Sequence, residues 1–596
     1  MNEKNFSGAQ ERQRNAAQAR SRSASDITKC YVCEKSLFIS FFFDAMGHDR
    51  IKDKAANRPS NIAKIFDAHH PLDKSKGIYL YYYEGIGTDL RNANEAKAAM
   101  ASLGHVAGQT AKGVLKDQAR PPVGQAAQQV GQQVLQGGAP DLRGAARQVG
   151  DDWLKGATNP KSYAEAGARA LLSSVVEITP GLRDHEFSAS VMNSGVPARL
   201  NQALGDFDKT LAGETGLVIH KVEVAVFGAE RGGSLARAFV NELIAKRGKR
   251  QGDSLMVQTP RGLASLHLRF VGLFDSQSAV WQPGGLWKPL SLFRPVALAT
   301  AFVGPDLRER YNLDLPREVE SALHLVSAND TRAICALDTI AKGSAQKMVE
   351  RVLPGSEVDA FAGLAPQERG KSVELARVPA RLMCNEAALA GVPVYSVDQL
   401  EQIDPDTWTH FRLKERITLP GSSVTRSVLS LVRSWESTAS ASSGDLTRAL
   451  LAHQKLLIGL LRLQHEIQPT RLSHRCLHEA RTLHYRGQGW TEPVERELLN
   501  AWMNPPALPL EVVALYTQFM HMPRLNLGND LTLQDMSIMT TRPLTGNPDL
   551  LDEAKKKNQQ DPEIQRRHEE AKRRMEEQDR QREAARQKDR ERAGIR

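Results

Sequence analysis

The stretch Val222-Glu-Val-Ala-Val-Phe227, followed by Gly228-Ala229-Glu230-Arg231-Gly232-Gly233 and then Ser234-Leu-Ala-Arg-Ala-Phe-Val-Asn-Glu-Leu243, decides the fold. The alternating aliphatic run reads as a buried strand, the glycine-bracketed segment as a tight turn, and the last segment as an amphipathic helix. No linker separates the three. A strand that turns this sharply into a helix holds the residue at the apex, Glu230, on a strained turn at the carboxyl end of the strand.

The flanking sequence repeats the pattern. Ser36-Leu-Phe-Ile-Ser-Phe-Phe-Phe43 runs into Asp44, and Gly77-Ile-Tyr-Leu-Tyr-Tyr-Tyr83 runs into Glu84-Gly-Ile-Gly-Thr88. Between them, Ser60 to Asp67 reads as a helix capped by Ser60 or Asn61. Strand, helix, strand at this spacing is a βαβ unit, so the sheet is expected to be mostly parallel, with helices on both faces and functional groups at the strands' carboxyl ends. Further strands are expected at 216–227, at Ser265–Phe274 ending in Asp275, at Ala322–Ser327, and before Val352-Leu-Pro-Gly355. Beyond Pro393, leucines and aliphatics at helical spacing over Leu429–Trp435, Leu446–Ile467 and His478–Tyr485 predict a helical region.

With 596 residues the chain exceeds one typical domain. We divide it into a disordered N-terminal tail (1–28), an α/β domain (29–395) interrupted by an Ala/Gly/Gln-rich insertion (92–160), a helical accessory region (396–548) and a charged helical or disordered tail (549–596). The small residues of the insertion suit either a lid packed closely or a solvated, partly helical segment. No apolar run approaches the ~20 residues of a membrane-spanning helix, and no apolar segment of a signal peptide stands at the N-terminus. The net charge of +10 biases the chain toward anionic surfaces such as phospholipid headgroups. It does not point to nucleic acid, because no basic surface interleaved with aromatics accompanies it. Five cysteines, including the lone Cys30-x-x-Cys33, make neither a disulfide framework nor a zinc site.

The elbow layout is that of the G-x-S-x-G turn of α/β-hydrolases, with Glu230 at the serine position. Five ordered segments extend the likeness: Phe42-Phe43-Asp44-Ala45-Met46, Tyr82-Tyr83-Glu84-Gly85-Ile86-Gly87-Thr88, Phe227-Gly228-Ala229-Glu230-Arg231-Gly232-Gly233 with Ala236-Arg237-Ala238-Phe239-Val240-Asn241, Gly272-Leu273-Phe274-Asp275-Ser276, and Pro354-Gly355-Ser356-Glu357-Val358-Asp359-Ala360-Phe361-Ala362-Gly363. Over roughly residues 35–395 the chain resembles the α/β-hydrolase family of the type VI secretion phospholipase effectors of the first lipase class. The resemblance implies an α/β-hydrolase-like fold and a site in which Glu230 stands at the nucleophile position, Asp275 at the acid and Glu357 at the histidine. Asp44, Gly228, Arg231, Gly232, His324 and Asp359 are its supporting residues. Ala45 replaces a family glycine.

A hydrolase lacking both serine and histidine cannot run the usual acyl transfer. Three readings follow: a non-catalytic homologue kept for binding, hydrolysis through an altered carboxylate or metal-assisted site, and a rearranged triad using His324 or Ser234. Carboxylates do serve as nucleophiles, and Glu230, Asp275, Glu357 and Asp359 together suit a divalent cation; no resident cofactor is otherwise expected. The resemblance implies a phospholipid surface, a type VI delivery spike or adaptor, or a cognate immunity protein as partners. It also implies a cytoplasmic protein of the producing cell, exported folded.

Overall fold

Strand β1 (Glu34–Phe43) is apolar on both faces, as a central strand of a sheet covered on two sides must be. The computed structural model describes residues 34–91, 195–278, 307–330, 336–361, 363–438, 446–486, 493–521, 538–539, 541–542 and 544–545. The expected N-terminal tail, the 92–160 insertion, the 549–596 tail and Cys30, Cys33 and Cys335 lie outside the described residues. After β1 come the short helix α1 (Arg50–Ala55) and α2 (Asn61–Asp67), whose N-cap Ser60 accepts the Ala63 N–H as the sequence leads one to expect. Strand β2 (Ile78–Tyr83) then pairs with β1 in parallel.

Helix α3 (Val196–Gly213) leads into β3 (Val218–Ala229) and the elbow helix α4 (Arg231–Arg247). A hairpin of β4 (Gly248–Gln251) and β5 (Ser254–Thr259) precedes the long β6 (Gly262–Phe274). Then follow α5 (Leu307–Arg310), β7 (Ala322–Ser327), β8 (Leu337–Asp338), β9 (Met348–Leu353), the short α6 (Glu357–Ala360) and α7 (Glu374–Leu389).

Among the described residues the main sheet has eight strands. Strands β2, β1, β3, β6, β7 and β9 are parallel neighbours in that order. The sheet is nonetheless mixed, because β5 pairs antiparallel with the first half of β6, and β4 antiparallel with β5. The sequence reading missed this hairpin: its polar, glycine-broken strands carry little apolar signal, and Ser254–Thr259 is short.

Alternation along the strands loads two cores. Leu37, Ile39, Phe41 and Phe43 of β1 and Val222, Val224 and Val226 of β3 face α3 and α4. Phe42, Ala225, Phe227 and Ala229 face α2 and α7. In β6 the register slips, so that Val224 opposes Leu268 while the next residue, Ala225, opposes Phe270. The extra residue, Arg269, is a bulge that switches the strand's parity; Leu266 and Leu268 lie in one core and Phe270 in the other. Arg269 itself is held by Glu223 and Glu320 at 2.6 and 2.5 Å.

Beyond α7, α8 (Val397–Ile403), α9 (Pro405–Thr409) and the small hairpin of β10 (Arg416–Thr418) and β11 (Thr425–Ser427) lead to five helices: α10 (Val428–Thr438), α11 (Leu446–Ile467), α12 (Arg471–Arg486), α13 (Pro493–Met503) and α14 (Leu510–Gln518). Their core, built round Trp435, Leu457, Leu498 and Leu515, also contains Ala328 next to β7 and Leu375 and Val378 of α7. The helical region is thus packed directly on the α/β part, and a last strand, β12 (Leu544–Thr545), pairs with β8. No helix among the described residues is long and apolar enough to cross a membrane.

Close backbone approach at the elbow explains its glycines. A Cβ on Gly232 would lie 2.4 Å from the carbonyl oxygens of both Phe43 and Asp44, and one on Gly228 2.2 Å from the Gly232 carbonyl oxygen. These contacts press the start of α4 against the end of β1. Gly232→Ala is expected to cost about 3 kcal/mol of stability, visible as a lowered denaturation midpoint with an unchanged m-value.

Candidate functional site

Glu230 stands between β3 and α4 with φ 53° and ψ −119°. A non-glycine residue held there carries backbone strain of about 1–3 kcal/mol, which persists only where the surroundings enforce it. They do: the Glu230 N–H donates to the Phe274 carbonyl at 2.8 Å, and its own carbonyl accepts from Gly233 and Gln277, both at 3.0 Å. The side chain is 4% exposed. Its Oε2 accepts the backbone N–H of Met46 at 3.0 Å. Met46 lies in the loop after β1, so this hydrogen bond closes the elbow onto that loop. Arg231 begins α4, and its Nη1 reaches the Met46 sulfur at 3.4 Å.

The loop after β1 is a hydrogen-bonded unit. Asp44 Oδ1 accepts the Ala45 N–H at 2.8 Å, and its Oδ2 accepts Ser60 Oγ at 2.6 Å and the Tyr82 hydroxyl. Burial pushes the Asp44 carboxyl above its ordinary range despite His48 and these donors. His48, which sequence reasoning passed over, places Nδ1 2.8 Å from Asp53 Oδ2. Burial acts to lower the His48 pKa, but the Asp53 hydrogen bond and the charges of Asp44, Asp53 and Glu230 outweigh it and hold it above the usual value. The available signal was weak: a histidine five residues past the end of a strand, with an aspartate five residues further on.

Asp275, immediately after β6, also has positive φ, 51°. It is fully buried, and its Oδ1 accepts from Ser327 N at 3.0 Å, Ser327 Oγ at 2.8 Å and Arg542 Nη1 at 2.6 Å. Arg542 Nη2 lies 3.5 Å from Asp330 as well. Burial raises the Asp275 pKa, but the Arg542 charge and the Ser327 donors prevail and hold the carboxyl below its ordinary value. Asp275 is therefore held by an arginine 267 residues away in sequence.

The turn after β9 is tied to the same end of the chain. Glu357 opens α6 and is 3% exposed, and Gly355 before it has φ 109°. Asp359 accepts the His521 N–H on Oδ2 and pairs with His521 Nδ1 through Oδ1, both at 2.9 Å. Ser356 Oγ donates to the His521 carbonyl at 2.7 Å. Burial raises the Asp359 carboxyl against the lowering effect of His521. His324 is not a spare imidazole. Its Nε2 accepts the Ser276 N–H at 3.0 Å, which leaves Nδ1 to donate to Glu350 at 2.8 Å, bracing β7 between the end of β6 and β9. Ser234 donates to the Gln277 carbonyl at 2.8 Å and is likewise part of the scaffold.

Parallel pairing of β1, β3, β6, β7 and β9 thus brings Asp44, Glu230, Asp275 and Glu357 to the same edge of the sheet. Each of the first three is hydrogen-bonded to a different set of scaffold groups. Among the described residues no three His, Cys, Asp or Glu side chains are grouped as ligands of a metal ion. A cleft of about 250 Å³ lined by Arg250, Ser254, Arg317 and Gln346 lies beside the β4–β5 hairpin, away from the elbow.

The chain matches no protein-family model and no curated protein. Among solved structures it is similar to the crystal structure of an uncharacterized protein from Pseudomonas aeruginosa, at 19% identity and TM-score 0.41, covering 93% of this chain and 70% of the other. It is also similar, at 15% identity and TM-score 0.28, to the Tle1 effector bound to the VgrG spike from the type 6 secretion system, covering 79% of this chain and 84% of that one. Neither likeness decides the chemistry of the site.

The Arg542–Asp275 pair gives a test of how the edge is held. Removing one partner of a fully buried pair leaves an uncompensated charge, so Arg542→Met should lose about 3 kcal/mol near pH 7. Because Asp275 is held below its ordinary 3.8, its contribution is full above that pH and is lost as pH falls through the lower folded value. The deficit of Arg542→Met relative to the wild type should therefore shrink below about pH 3.8, as read from urea unfolding across pH.

Proposed function

We propose that the chain is an α/β-hydrolase-like protein of the type VI effector kind in which the hydrolytic site has been converted into scaffold. In this reading it acts by binding, with a delivery spike, an adaptor, an immunity protein or a phospholipid surface as the candidate partners. The observation that carries the reading is the Glu230 carboxylate on the Met46 N–H, because the group at the nucleophile position occupies the donor a substrate oxygen would need. The Asp275–Arg542 pair supports it, because it ties one acid of the site to an arginine instead of leaving it to orient a base.

One observation favours a second reading, hydrolysis with Glu230 as nucleophile. His48, paired to Asp53 and held above its usual pKa partly by Glu230, is the kind of base that would activate water on a glutamyl intermediate. The two readings separate in one assay of fatty-acid release from mixed phospholipid vesicles. The wild type is expected to release none, and Glu230→Ser alone to restore none, since Glu357 still stands at the histidine position. Robust release that disappears in Glu230→Ala would establish the carboxylate mechanism instead.

A further inference from the structure

Away from the elbow, a group of cations is gathered where α2 meets α7 and the segment after α9. Asn61 Nδ2 donates to the carbonyls of Ala360 and Ala376 at 2.8 and 3.1 Å, which fixes α2 against α7. One turn on from Asn61, Lys64 is 6% exposed, and its ammonium donates to a single neutral acceptor, Asn61 Oδ1, at 2.8 Å. Among the described residues no carboxylate lies within ion-pair distance of it. The acid of its own helix, Asp67, is engaged by Arg50 at 2.8 Å and Lys54 at 3.1 Å. The acid of the facing helix, Glu374, accepts the backbone N–H groups of Lys414 and Glu415 on Oε1 at 2.7 and 2.9 Å; its Oε2 is buried with no hydrogen-bond partner among the described residues, and its charge acts on Arg377.

The neighbours of Lys64 are also basic. Arg377 of α7 donates Nη1 to the Arg412 carbonyl at 2.8 Å. Arg412 stacks its guanidinium 5.0 Å from the Trp408 ring, and its Nε is buried with no hydrogen-bond partner among the described residues. His410 is half-buried beside them. Burial, and then the Arg377 charge, push the Lys64 pKa down to about 7. Burial, Lys64, Arg377 and Lys54 push His410 down to about 4 against the opposing effect of Asp67. Arg377 is lowered by burial and Arg412, with Glu374 and Glu415 opposing. A buried ammonium is ordinarily matched by an anion, because its desolvation is otherwise uncompensated.

We propose that Lys64, Arg377 and His410, with Arg412 at the rim, form a binding site for a phosphate group. The cluster presents a point charge and a planar fork within one site, and a phosphate group offers more than one charge and several acceptor oxygens to meet them. His410 and Arg377 are only partly covered, so the group reaches the cluster from their side. The ligand is either free phosphate or the phosphomonoester headgroup of a lipid.

The test uses the full chain. Millimolar inorganic phosphate, against chloride at matched ionic strength, should raise the melting temperature by about 2–4 °C. Lys64→Met should melt above the wild type without phosphate, because the buried charge is gone, and should show no phosphate response. His410→Gln and Arg377→Gln, whose side chains are more exposed, should fold and lose most of the response, so the result does not hang on one buried variant. Co-flotation with phosphatidic acid vesicles, lost in Lys64→Met and absent with phosphatidylcholine, would assign the headgroup. A phosphate response without flotation would assign the free anion. No response in the wild type, or an equal response in the wild type and the three variants, would overturn the site.

Discussion

The close approach of three backbone segments at the elbow is the constraint on which the rest of the structure depends. The end of β1, the end of β3 and the first turn of α4 meet where a single added methyl group would collide with the carbonyl oxygens of Phe43 and Asp44. Because that contact fixes β1 beside β3, the Met46 N–H comes within reach of whatever side chain stands at position 230. The same contact enforces the strained backbone of Glu230, since α4 cannot be moved to relax it. The strained turn is thereby kept whatever the side chain on it does.

What the edge of the sheet does with its acids follows from burial. A carboxylate removed from water is retained only when donors or a cation replace its hydration. Asp44 is met by Ser60, Tyr82 and the Ala45 N–H, and Asp275 by Ser327 and Arg542. Asp359 is met by His521, and Glu230 by the Met46 N–H. These partners come from the loop after β1, the N-cap of α2, β2, β7 and the far end of the chain. The C-terminal segments at 521 and 542 thereby contribute side chains to the edge itself, and β12 adds backbone pairing to β8 close by. Lys64 is the opposite case: a buried cation with no carboxylate within ion-pair distance among the described residues, which is the physical reason to look for an anion there.

Much of the α/β part was legible because each element carried its own local signal. The apolar run of Ser36–Phe43, the Ser60 cap, and the glycines at 228 and 232 each follow from contacts with near neighbours in sequence or from a steric limit that only glycine meets. The β4–β5 hairpin was not legible, because β4 is exposed and polar like a loop and β5 buries only Leu255, Val257 and Thr259. The switch of parity at Arg269 was not legible either, since a bulge is set by what the neighbouring strand requires.

The sequence by itself determined the successive strands of a mostly parallel sheet, the elbow, and the acids that follow the strands: Glu230 after β3, Asp275 after β6 and Glu357 after β9. It determined them because short-range periodicity and turn chemistry act within a few residues. Only the tertiary structure decided how those residues are used. Arg542 reaches Asp275 across 267 residues and His521 reaches Asp359 across 162, and Glu230 turns its carboxylate to an N–H of the first loop. Such pairings depend on which buried charge finds which donor once the chain has closed, and no local pattern encodes that.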